Sequence, residues 1–507
     1  MRFAFPASGV RAVTHPKREL PRLFFGRWIA GLGCSMDRRK FLKAALAPLS
    51  RPLGAAQTQG PVELSLEARP DWVEVGGQIA RLYTFNGQVP GPAIEAHPAS
   101  EVRIAFRNRL PETVNLHFHG LHIPPTGFAD NVMLRIPPQE SLDYRFTLPA
   151  DHPAGTFWYH PHVHGSAARQ VSRGLAGVFI VRGELDRIPE MLATPESMVV
   201  LQDFDLDAAG QPRDPSPMER MNGREGRLVT VSGQAASRFD IQRDGWHRLR
   251  FVNASSSRVY RLRLEEHPIY VIGTEGGFLN SPEPRDEILL SPGERADTMI
   301  RGERPPGEYR LLSLPYDRGQ MGFAMGGMRP GLQPGTIALA TVRYEGQAES
   351  PWQLPSRLAQ IDPLPAPSVR RSFHLGSGQA MGAGMRFTIN GQTFNENRVD
   401  TRGALGAVEQ REFVNSTSMD HPMHIHTNPF QVVRAGGTPT LAWKDTVLVP
   451  AQSRVTIRTL FRDFAGATMY HCHILDHEDL GMMGTLEIAP IVSEASERRR
   501  GGPLSPA

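Results

Sequence analysis

The sequence predicts an all-β protein of the sandwich or barrel class, and three observations support that prediction. From Pro61 onward, short runs of alternating polar and apolar residues recur, for example at 102–106, 248–251 and 261–264. The 49 glycines and 44 prolines supply frequent turns between such runs. Few stretches repeat their apolar residues with the helical period of about 3.6 residues. Each run is therefore expected to form a half-buried strand.

The length of 507 residues exceeds what one hydrophobic core can organise and indicates about three domains. Turn-forming residues cluster at 182–195, and the proline-rich segment 351–367 predicts an extended linker. We therefore expect an N-terminal extension over residues 1–56, followed by domains over residues 61–185, 196–346 and 370–490.

The composition excludes several classes of protein. The chain is 40% hydrophobic and 21% charged, and no stretch after the N-terminal extension is apolar enough to span a bilayer. A formal net charge of +4 is modest, and the arginines are scattered among the strand-like runs, which argues against nucleic-acid binding. The two cysteines are Cys34 and Cys472. Because Cys34 lies in the segment expected to be removed, no intrachain disulfide is expected in the mature protein.

Residues 37–43, with the sequence DRRKFLK, resemble the twin-arginine export signal. A mildly apolar stretch at 44–47 and small residues at 54–56 follow, so cleavage near Ala56 is expected. Met36 is a candidate for the true start, with the residues before it as an upstream extension. An ordinary basic pair at Arg38 and Arg39 is the alternative. The signal predicts export of the folded protein by the twin-arginine machinery to the periplasm or outer cell surface.

Four clusters hold most of the chain's 18 histidines, and they all lie in the first and last expected domains. Residues two apart in a strand point to the same face, so a His-x-His pair presents two imidazoles side by side, as a metal site requires. One such pair alone is weak evidence, because paired surface histidines are commoner than metal sites. The clusters are His117 with His119, His160 with His162 and the nearby His164, His421 with His424 and His426, and His471 with His473 and His477.

The last cluster is the most specific, because Cys472 stands between two histidines, with His477 and Met482 shortly after. A thiolate, two imidazoles and a weak thioether define a blue-copper electron-transfer centre. Cys472, His477 and Met482 supply three of these ligands, and His421 is the best candidate for the fourth. The alternative is a buried structural thiol beside solvated histidines, and the joint occurrence of these residues argues against it.

Strand alternation suggests how two centres communicate. If Cys472 points to one face of its strand, His471 and His473 point to the other, so one backbone segment contacts two metal centres. The eight remaining imidazoles suit three coppers. Such a cluster stores several electrons and so can cleave dioxygen without releasing peroxide or superoxide, while the blue copper collects electrons singly. The eight candidates for the three-copper cluster are His117, His119, His160, His162, His424, His426, His471 and His473.

In this order the four clusters resemble the four copper-binding motifs of the multicopper oxidases, the family of laccases, bacterial spore-coat laccases and periplasmic cuprous oxidases. The resemblance covers nearly the whole mature chain and includes residues 86–92, 387–391 and 443–446. It implies three cupredoxin-like Greek-key β-sandwich domains, with a trinuclear cluster between the first and third. It also implies four copper ions (one type 1, one type 2, two type 3) and coupling of one-electron oxidation of a donor to the reduction of dioxygen to water.

Further roles concern two carboxyl residues and each of the copper ligands, the latter as the resemblance implies them. Asp130 and Glu478 are the candidate catalytic residues for proton delivery to the oxygen site, and the alternative for each is a turn or hydrogen-bonding residue. His164 is left without a role. The type 1 ligands are His421, Cys472 and His477 with Met482 axial, the type 2 ligands are His117 and His424, and the type 3 ligands are His119, His160, His162, His426, His471 and His473.

The family's electron donors include phenols, aromatic amines, Cu(I), Fe(II) and Mn(II). Methionines favour Cu(I), because thioethers are soft ligands, although methionines also fill gaps in cores. The candidates are Met321, Met325 and Met328 in a glycine-rich segment, and Met381 and Met385 in an expected second loop. Met419 resembles a position near the donor site of cuprous oxidases.

One departure from the pattern of the cuprous oxidases and two rival classes of protein bear on this assignment. Thr417 stands where cuprous oxidases have an acidic residue four positions before the type 1 histidine, although Asp420 is adjacent. A copper-free scaffold, as in some cell-division proteins of this fold, is the main rival, and the complete ligand sets argue against it. Copper nitrite reductases share the cupredoxin unit but have two domains and lack the His-Cys-His arrangement with four His-x-His pairs.

Overall fold

The structure is a computed structural model that describes residues 60–320, 335–380 and 384–490. Within these ranges strands dominate and the helices are short, so the predicted all-β class is confirmed. The strands form six sheets, two in each of three consecutive segments of the chain. None of the helices in the described ranges has the length and apolar character needed to cross a membrane. The export motif at Arg38 and Arg39 and the residue Cys34 lie outside the described residues.

The first segment, residues 60–181, forms two sheets around one apolar core. One sheet has the strand order β2-β1-β4-β6 and the other β3-β8-β7-β5. The strands are β1 Val62–Val75, β2 Gln78–Phe85, β3 Gly91–Ala96, β4 Glu101–Asn108, β5 His117–His119, β6 Ser141–Thr147, β7 Gly155–His160 and β8 Gly177–Val181.

The middle segment, residues 196–347, forms sheets with the orders β10-β9-β12-β17-β14-β15 and β11-β19-β18-β13-β16. The strands are β9 Glu196–Phe204, β10 Leu228–Val231, β11 Ser237–Arg243, β12 Trp246–Asn253, β13 Tyr260–Leu264, β14 Ile269–Thr274, β15 Gly277–Arg285, β16 Ile288–Leu290, β17 Arg295–Arg301, β18 Glu308–Leu314 and β19 Ile337–Gln347.

The last segment, residues 369–489, forms sheets with the orders β21-β20-β23-β27-β25 and β22-β29-β28-β24-β26. The strands are β20 Val369–Ala380, β21 Gly384–Ile389, β22 Thr401–Ala404, β23 Val408–Asn415, β24 His421–Ile425, β25 Phe430–Val433, β26 Thr446–Val449, β27 Ser453–Leu460, β28 Gly466–Cys472 and β29 Met483–Ala489. The helices of the described chain are α1 Ala167–Ser172, α2 Pro189–Ala193, α3 Pro217–Asn222, α4 Leu475–Asp479 and the 3-10 turn Leu185–Arg187.

The three segments repeat one topology. Each contains two parallel strand pairs among otherwise antiparallel neighbours: β1 with β4 and β3 with β8, β9 with β12 and β11 with β19, and β20 with β23 and β22 with β29. Two parallel neighbours cannot be joined by a tight turn and need a long connection. Such connections are typical of sandwiches in which the chain crosses from one sheet to the other. The repeat accounts for three similar sandwiches along one chain.

The expectation of half-buried strands holds for β4 and β13, where buried and exposed residues alternate. It is wrong for the run at 248–251, because every residue of β12 is buried. Arg248 and Arg250 tolerate burial because carboxylates neutralise them. Both guanidinium groups contact Asp186 and Asp297 at distances of 2.6 to 2.9 Å. Alternation of residue types therefore does not reveal burial where buried ion pairs replace apolar side chains.

Candidate metal centres

Strand pairing brings the histidine clusters together. In the first segment β5 pairs with β7, so His117 lies opposite His160. In the last segment β24 pairs with β28, which sets His424 opposite His471 and places Cys472 opposite the residue before His424. Residues opposite each other in an antiparallel pair have their side chains on the same face of the sheet. Each sheet therefore presents a patch of imidazoles drawn from distant parts of the sequence.

The first donor group comprises His421, Cys472 and His477, all fully buried. The Sγ atom of Cys472 lies 3.5 Å from Nδ1 of His421 and 3.8 Å from Nδ1 of His477, and the two nitrogens are 3.3 Å apart. Met482 is buried beside them: its carbonyl oxygen accepts from the Cys472 N–H (3.0 Å), and its N–H donates to the carbonyl of His477 (2.9 Å). The four predicted type 1 ligands are thus neighbours.

Hydrogen bonds orient both imidazoles of this group. Nε2 of His477 donates to the carbonyl oxygen of Met221 (3.1 Å), and because a carbonyl can only accept, Nδ1 of His477 carries a lone pair. The Thr417 hydroxyl lies 2.9 Å from Nε2 of His421. The Phe387 ring stacks on His477 with centroids 3.8 Å apart. These contacts turn both Nδ1 atoms toward the thiol of Cys472, as the surroundings of metal ligands commonly do.

The other eight predicted ligands form three further groups, and each group combines residues of the first and last segments. The donor atoms within a group lie within 4.8 Å of one another, and all of these residues are buried. The groups are His117, His119 and His424; His119, His160 and His473; and His162, His426 and His471.

The contact between His117 and His424 suits a bound cation. Nδ1 of His117 donates to Oδ1 of Asp130 (2.8 Å), and Nδ1 of His424 donates to the carbonyl oxygen of Asp445 (2.8 Å). Both Nε2 atoms then carry lone pairs, and they face each other at 3.4 Å. Two buried lone pairs at this distance repel unless a positive charge lies between them. A metal ion about 2.0 Å from each of two imidazole nitrogens separates them by about 3.3 Å.

His471 likewise directs a lone pair at neighbouring imidazole nitrogens. Its Nδ1 donates to the carbonyl oxygen of Cys472 (3.0 Å), which leaves the lone pair on Nε2. That Nε2 lies 3.1 Å from Nε2 of His162 and 3.0 Å from Nε2 of His426. Three imidazole nitrogens therefore converge on one point, in a donor set and a spacing that suit a first-row metal ion such as copper.

The third group contains buried nitrogens that make no hydrogen bond within the described chain: Nδ1 of His119, Nε2 of His160 and both ring nitrogens of His473. Nδ1 of His160 donates to the carbonyl of Pro161 (2.9 Å), so its unpartnered Nε2 holds a lone pair. Nε2 of His119 contacts Oδ1 of Asp445 (2.9 Å), so its free atom is Nδ1. Buried polar atoms without partners are rare in proteins, and coordination of a metal ion would satisfy these.

Burial keeps the donors in their metal-binding form. It lowers the pKa of His162 and of His421 to about 3. Burial also lowers the pKa of a further set of histidines well below the usual value, so these imidazoles are neutral near pH 7 and can bind a cation through a lone pair. That set is His117, His119, His160, His426, His471, His473 and His477.

Two buried carboxylates each bridge a pair of these histidines. Asp130 contacts His117 through Oδ1, and its Oδ2 approaches Nδ1 of His426 at 3.7 Å. Glu478 lies 3.2 Å from Nδ1 of His471 and 3.7 Å from Nδ1 of His162. Burial raises the pKa of Asp130 to about 8, and burial, with the neighbouring Asp479, raises the pKa of Glu478 well above its usual value.

Some methionines and one histidine of the predicted set lie elsewhere. His164 belongs to none of the donor groups found among the described residues and packs edge-on against Phe394. Met385 is not in a loop, as expected, but in β21, where it pairs with Gln379 and packs partly buried against the core of the last segment. Met419 is buried in the same core. Met321, Met325, Met328 and Met381 lie outside the described residues.

Sequence reasoning missed the residues that orient the ligands. The sequence marks Thr417 only as a departure from the cuprous oxidases, yet its hydroxyl contacts His421. It marks Asp445 only as part of a motif, yet this residue contacts both His119 and His424. Met221 belongs to the middle segment, which has no histidine cluster. The tetrapeptide containing Asp445, shared with the family, was the one signal in the sequence for any of them.

Comparison with known proteins identifies the family. Three family models, each described as multicopper oxidase, match residues 68–186, 199–347 and 365–491. The structure of a multicopper oxidase from Campylobacter jejuni, described as a metallo-oxidase, is 30% identical, covers 87% of this chain and 94% of its own, and has a TM-score of 0.74. A laccase-like multicopper oxidase CueO from Ochrobactrum sp. is 26% identical, with coverages of 84% and 97% and a TM-score of 0.73. These neighbours confirm three cupredoxin-like Greek-key β-sandwich domains.

The curated relatives carry a different name. Cell division protein FtsP of Escherichia coli K12 is 28% identical over 491 residues, which cover 90% of this chain and 100% of that protein. Cell division protein FtsP of Xenorhabdus nematophila is 28% identical over 492 residues, with coverages of 90% and 99%. The chain is thus similar over nearly its whole length both to oxidases and to proteins named for cell division.

Proposed function

Because this chain belongs to the multicopper oxidase family, we propose that it is a copper enzyme that couples one-electron oxidation of a donor to four-electron reduction of dioxygen to water. One observation carries the proposal: the buried donor groups are complete, and their lone pairs converge at separations that a metal ion explains. A scaffold without copper would leave these lone pairs opposed in a dry interior, at a cost to folding.

In this proposal His421, Cys472 and His477 hold the type 1 copper, with Met482 as the weak axial ligand. His117 and His424 hold the type 2 copper. The type 3 pair is held by His119, His160 and His473 on one side and by His162, His426 and His471 on the other. Bound copper would supply one-electron redox chemistry at the first site and dioxygen reduction at the other three.

The chain's own residues prepare this chemistry. The hydrogen bonds to Met221 and Asp130 fix which nitrogen of His477 and His117 faces the metal. Complete burial of both centres excludes bulk water and so limits the release of reactive oxygen species. Cys472 and His471 are adjacent in β28 and belong to different centres, so a single covalent segment connects them. We assign the electron path to that segment.

Asp130 and Glu478 are proposed to deliver protons to the oxygen site. Each carboxyl group lies between two proposed ligands, and Oδ2 of Asp130 and both carboxyl oxygens of Glu478 make no hydrogen bond within the described chain. A buried carboxyl with a free oxygen can hold a proton and pass it to a reduced oxygen species. Their symmetric placement, one beside His117 and one beside His471, supplies protons from two sides.

A cavity of about 610 Å³ lies beside helix α3 and is the proposed donor site. Asn222 and Gly223 line it, and the residue before them, Met221, accepts the hydrogen bond from His477, so the cavity wall is connected to that imidazole through the backbone of α3. Charged residues, including Glu225 and Arg318, line the cavity. A phenol-type molecule or Cu(I) is the proposed donor. If the donor is Cu(I), the enzyme would have a role in copper homeostasis.

We further propose domain boundaries of 61–185, 196–346 and 370–490, which the membership of the six sheets supports. The proposed location is the periplasm or another extracytoplasmic site, reached by the twin-arginine route. The relatives named for cell division are compatible with such a location.

A role in cell division is the second candidate function, because the curated relatives that match nearly the whole chain carry that name. The two functions differ in what they need: a scaffold needs only the outer surfaces of the sandwiches, whereas an oxidase needs the buried donor groups. Copper content and oxygen consumption therefore discriminate between them.

The test is to purify the exported protein, load it with copper, and measure the metal per chain, the visible absorption and the oxygen consumed with Cu(I) and with a phenol at matched copper loading. We expect four coppers per chain, a blue protein and oxygen uptake that depends on the donor. A colourless protein that binds no copper and consumes no oxygen would reject the oxidase and favour the scaffold.

A further inference from the structure

A fully buried ion pair joins the middle segment to the histidine clusters. Nη1 of Arg295 donates to Oδ1 of Asp445 (2.8 Å), and Nη2 donates to Oδ2 (2.6 Å), so the guanidinium grips both oxygens of the carboxylate. Arg295 belongs to β17 of the middle segment, and Asp445 immediately precedes β26 of the last segment. Backbone carbonyls of Thr156, Gly293 and Glu275 accept the other N–H groups of Arg295 at 3.0 to 3.1 Å.

Asp445 in turn contacts two proposed ligands. Its Oδ1 accepts from Nε2 of His119 (2.9 Å), and its backbone carbonyl accepts from Nδ1 of His424 (2.8 Å). The two imidazoles stack with centroids 3.8 Å apart. Because Nε2 of His119 is engaged by Asp445, this histidine faces its group through Nδ1, whereas His117, His160, His424 and His471 face theirs through Nε2. The reversed orientation of His119 thus depends on where Asp445 is held.

Two glycines lie in close contact with the Arg295–Asp445 ion pair or with the histidines beside it. Gly120 directly follows His119 and has a φ of +86°, and a Cβ atom there would overlap the guanidinium of Arg295 and the carboxylate of Asp445. Gly293, in the turn before β17, lies against His119 and His473: a Cβ atom there would come within 3.0 Å of both rings. The middle segment therefore forms part of the wall around the histidines although it has no histidine cluster.

A second ion pair reinforces the same junction. Lys444, the residue before Asp445, contacts Glu275 at 2.7 Å and Glu294 at 2.9 Å, and both carboxylates belong to the middle segment. The dipeptide at 444–445 is thus held by three charged residues of the middle segment, of which Arg295 alone reaches the residue that contacts the histidines.

We propose that Arg295 is a positioning residue for the trinuclear copper cluster: it fixes the carboxylate of Asp445, which selects the metal-facing nitrogen of His119, and it thereby holds in place the residue whose backbone carbonyl accepts from His424. The inference rests on the proposed function, because it concerns copper bound by these histidines. It gives the middle domain a part in oxygen chemistry that its lack of histidine clusters conceals. A planar fork is needed for this role, and the single ammonium group of a lysine cannot reproduce it.

The test compares Arg295→Lys with Arg250→Lys. Arg250 is a matched control, since it is equally buried in the middle segment, pairs with Asp186, Glu196 and Asp297, and within the described part of the chain makes no hydrogen bond or ion pair with a proposed ligand. Both variants are purified as the full mature chain, and thermal unfolding of the copper-free form checks their folding. Copper affinity is measured by competition with a chelator, together with the electron paramagnetic resonance spectrum of type 2 copper, the near-ultraviolet band of the type 3 pair and the blue band.

We expect Arg295→Lys to weaken copper binding at the trinuclear cluster by at most about 10- to 100-fold, which is the usual loss when a direct partner of a ligand, here Asp445, is removed. Its type 2 and type 3 signals should change while the blue band stays, because the type 1 group has no contact with Arg295 or Asp445. Arg250→Lys should keep all signals of the parent. Asp445→Asn, which preserves shape but removes the charge, should give the same spectral change as Arg295→Lys.

Trinuclear signals and affinity equal to the parent's in Arg295→Lys would overturn the positioning role while leaving the oxidase intact. Equal changes in Arg250→Lys would also overturn it, since they would show a general effect of buried charge. Misfolding of both Arg295→Lys and Asp445→Asn in the copper-free state would make the pair a folding element and overturn the role as well. A parent protein that binds no copper would instead reject the proposed function.

Discussion

The Nδ1 atom of His471 lies 3.0 Å from the carbonyl oxygen of Cys472, its neighbour in the chain. The two side chains belong to different donor groups, since His471 faces His162 and His426 whereas Cys472 faces His421 and His477. The hydrogen bond therefore links the imidazole of one centre to the backbone of a residue that serves the other. It adds a second short connection to the covalent one along β28, and in the proposed function an electron that enters at Cys472 would have both available.

Cys472→Ser is expected to abolish the blue colour and reduce oxidation of every donor to background while the protein stays folded. A hydroxyl is nearly isosteric with the thiol but cannot replace the thiolate that gives a blue-copper site its charge-transfer band and redox function. Visible absorption, donor oxidation and near-ultraviolet circular dichroism measure the three effects.

A complementary variant serves as the control for the serine substitution. His162→Gln removes a proposed type 3 ligand and should keep the blue band while oxygen reduction is lost. A blue band that survives in Cys472→Ser would contradict the assignment of this cysteine.

Met482→Leu should leave the enzyme active but raise the reduction potential of the type 1 copper, because the weak axial donor that tunes the potential is removed. Met482 is fully buried, and leucine conserves its volume well enough to keep the fold. Redox titration of the blue band gives the potential. Met299→Leu, an equally buried methionine of the middle segment, is the matched control. If both variants show the parent's potential, Met482 is not axial.

The sequence was sufficient for the ligand candidates because their signals are local. A His-x-His pair places both imidazoles on one side by strand geometry alone, and the run from His471 to His477 brings a thiol and imidazoles together within strand β28 and the short helix α4 after it. The all-β class followed from alternation and turns in the same way. These features need no knowledge of which distant segments meet.

The orienting residues could not be predicted, because their roles depend on contacts between distant parts of the chain. Arg295 is 150 positions before Asp445, and Met221 is 256 positions before His477. An arginine or a backbone carbonyl has no residue pattern that marks it as a partner of a ligand. Burial of Arg248 and Arg250 escaped prediction for the same reason, since the two carboxylates that neutralise them, Asp186 and Asp297, are distant in the sequence.

Glu478→Gln should slow dioxygen reduction by about 10²-fold or more while slowing reduction of the type 1 copper much less. The carboxyl lies 3.2 Å from Nδ1 of His471, beside the oxygen site, whereas an amide at this position cannot give up a proton. Stopped-flow measurement of blue-band bleaching without oxygen and of its return with oxygen separates the two half-reactions.

Glu409→Gln is the matched control for this substitution. Glu409 is a buried glutamate of the last segment, but its carboxylate pairs with Arg371 and Arg411 and so has a structural task. Equal slowing of both half-reactions in Glu478→Gln would point to a structural role for Glu478 too.

Removal of copper by a chelator should lower the thermal stability of the protein, since in the proposed function the donor groups bind metal in the folded state, and three of these groups combine residues of the first and last segments. At a free copper concentration of 100 times Kd, one site contributes about 2.7 kcal/mol to folding. Differential scanning calorimetry of the loaded and stripped forms measures the shift. His424→Gln, which removes one proposed ligand, should narrow the difference, and an unchanged melting temperature on stripping would argue that copper does not bind the native donor groups.

The donor prediction concerns Met321, Met325 and Met328, which lie outside the described residues. Gln320, which immediately precedes them in the sequence, lines the cavity beside helix α3 and so lies near the proposed entry point for electrons. Thioethers are soft ligands that suit Cu(I). We therefore expect appreciable oxidation of Cu(I) beside broader and weaker oxidation of phenols.

Changing these three methionines together to leucine should lower the rate of Cu(I) oxidation several-fold and spare or raise the rate with a phenol, because leucine keeps the apolar volume but removes the sulfur ligands. Oxygen consumption with each donor, at matched copper loading, measures the two rates. Met133→Leu is the control, since Met133 is exposed on the first segment and does not line the cavity beside helix α3. A triple variant that oxidises Cu(I) at the parent's rate would exclude a copper-delivery role for these methionines and favour a laccase-like enzyme, in which the donor reaches the cavity without help from sulfur.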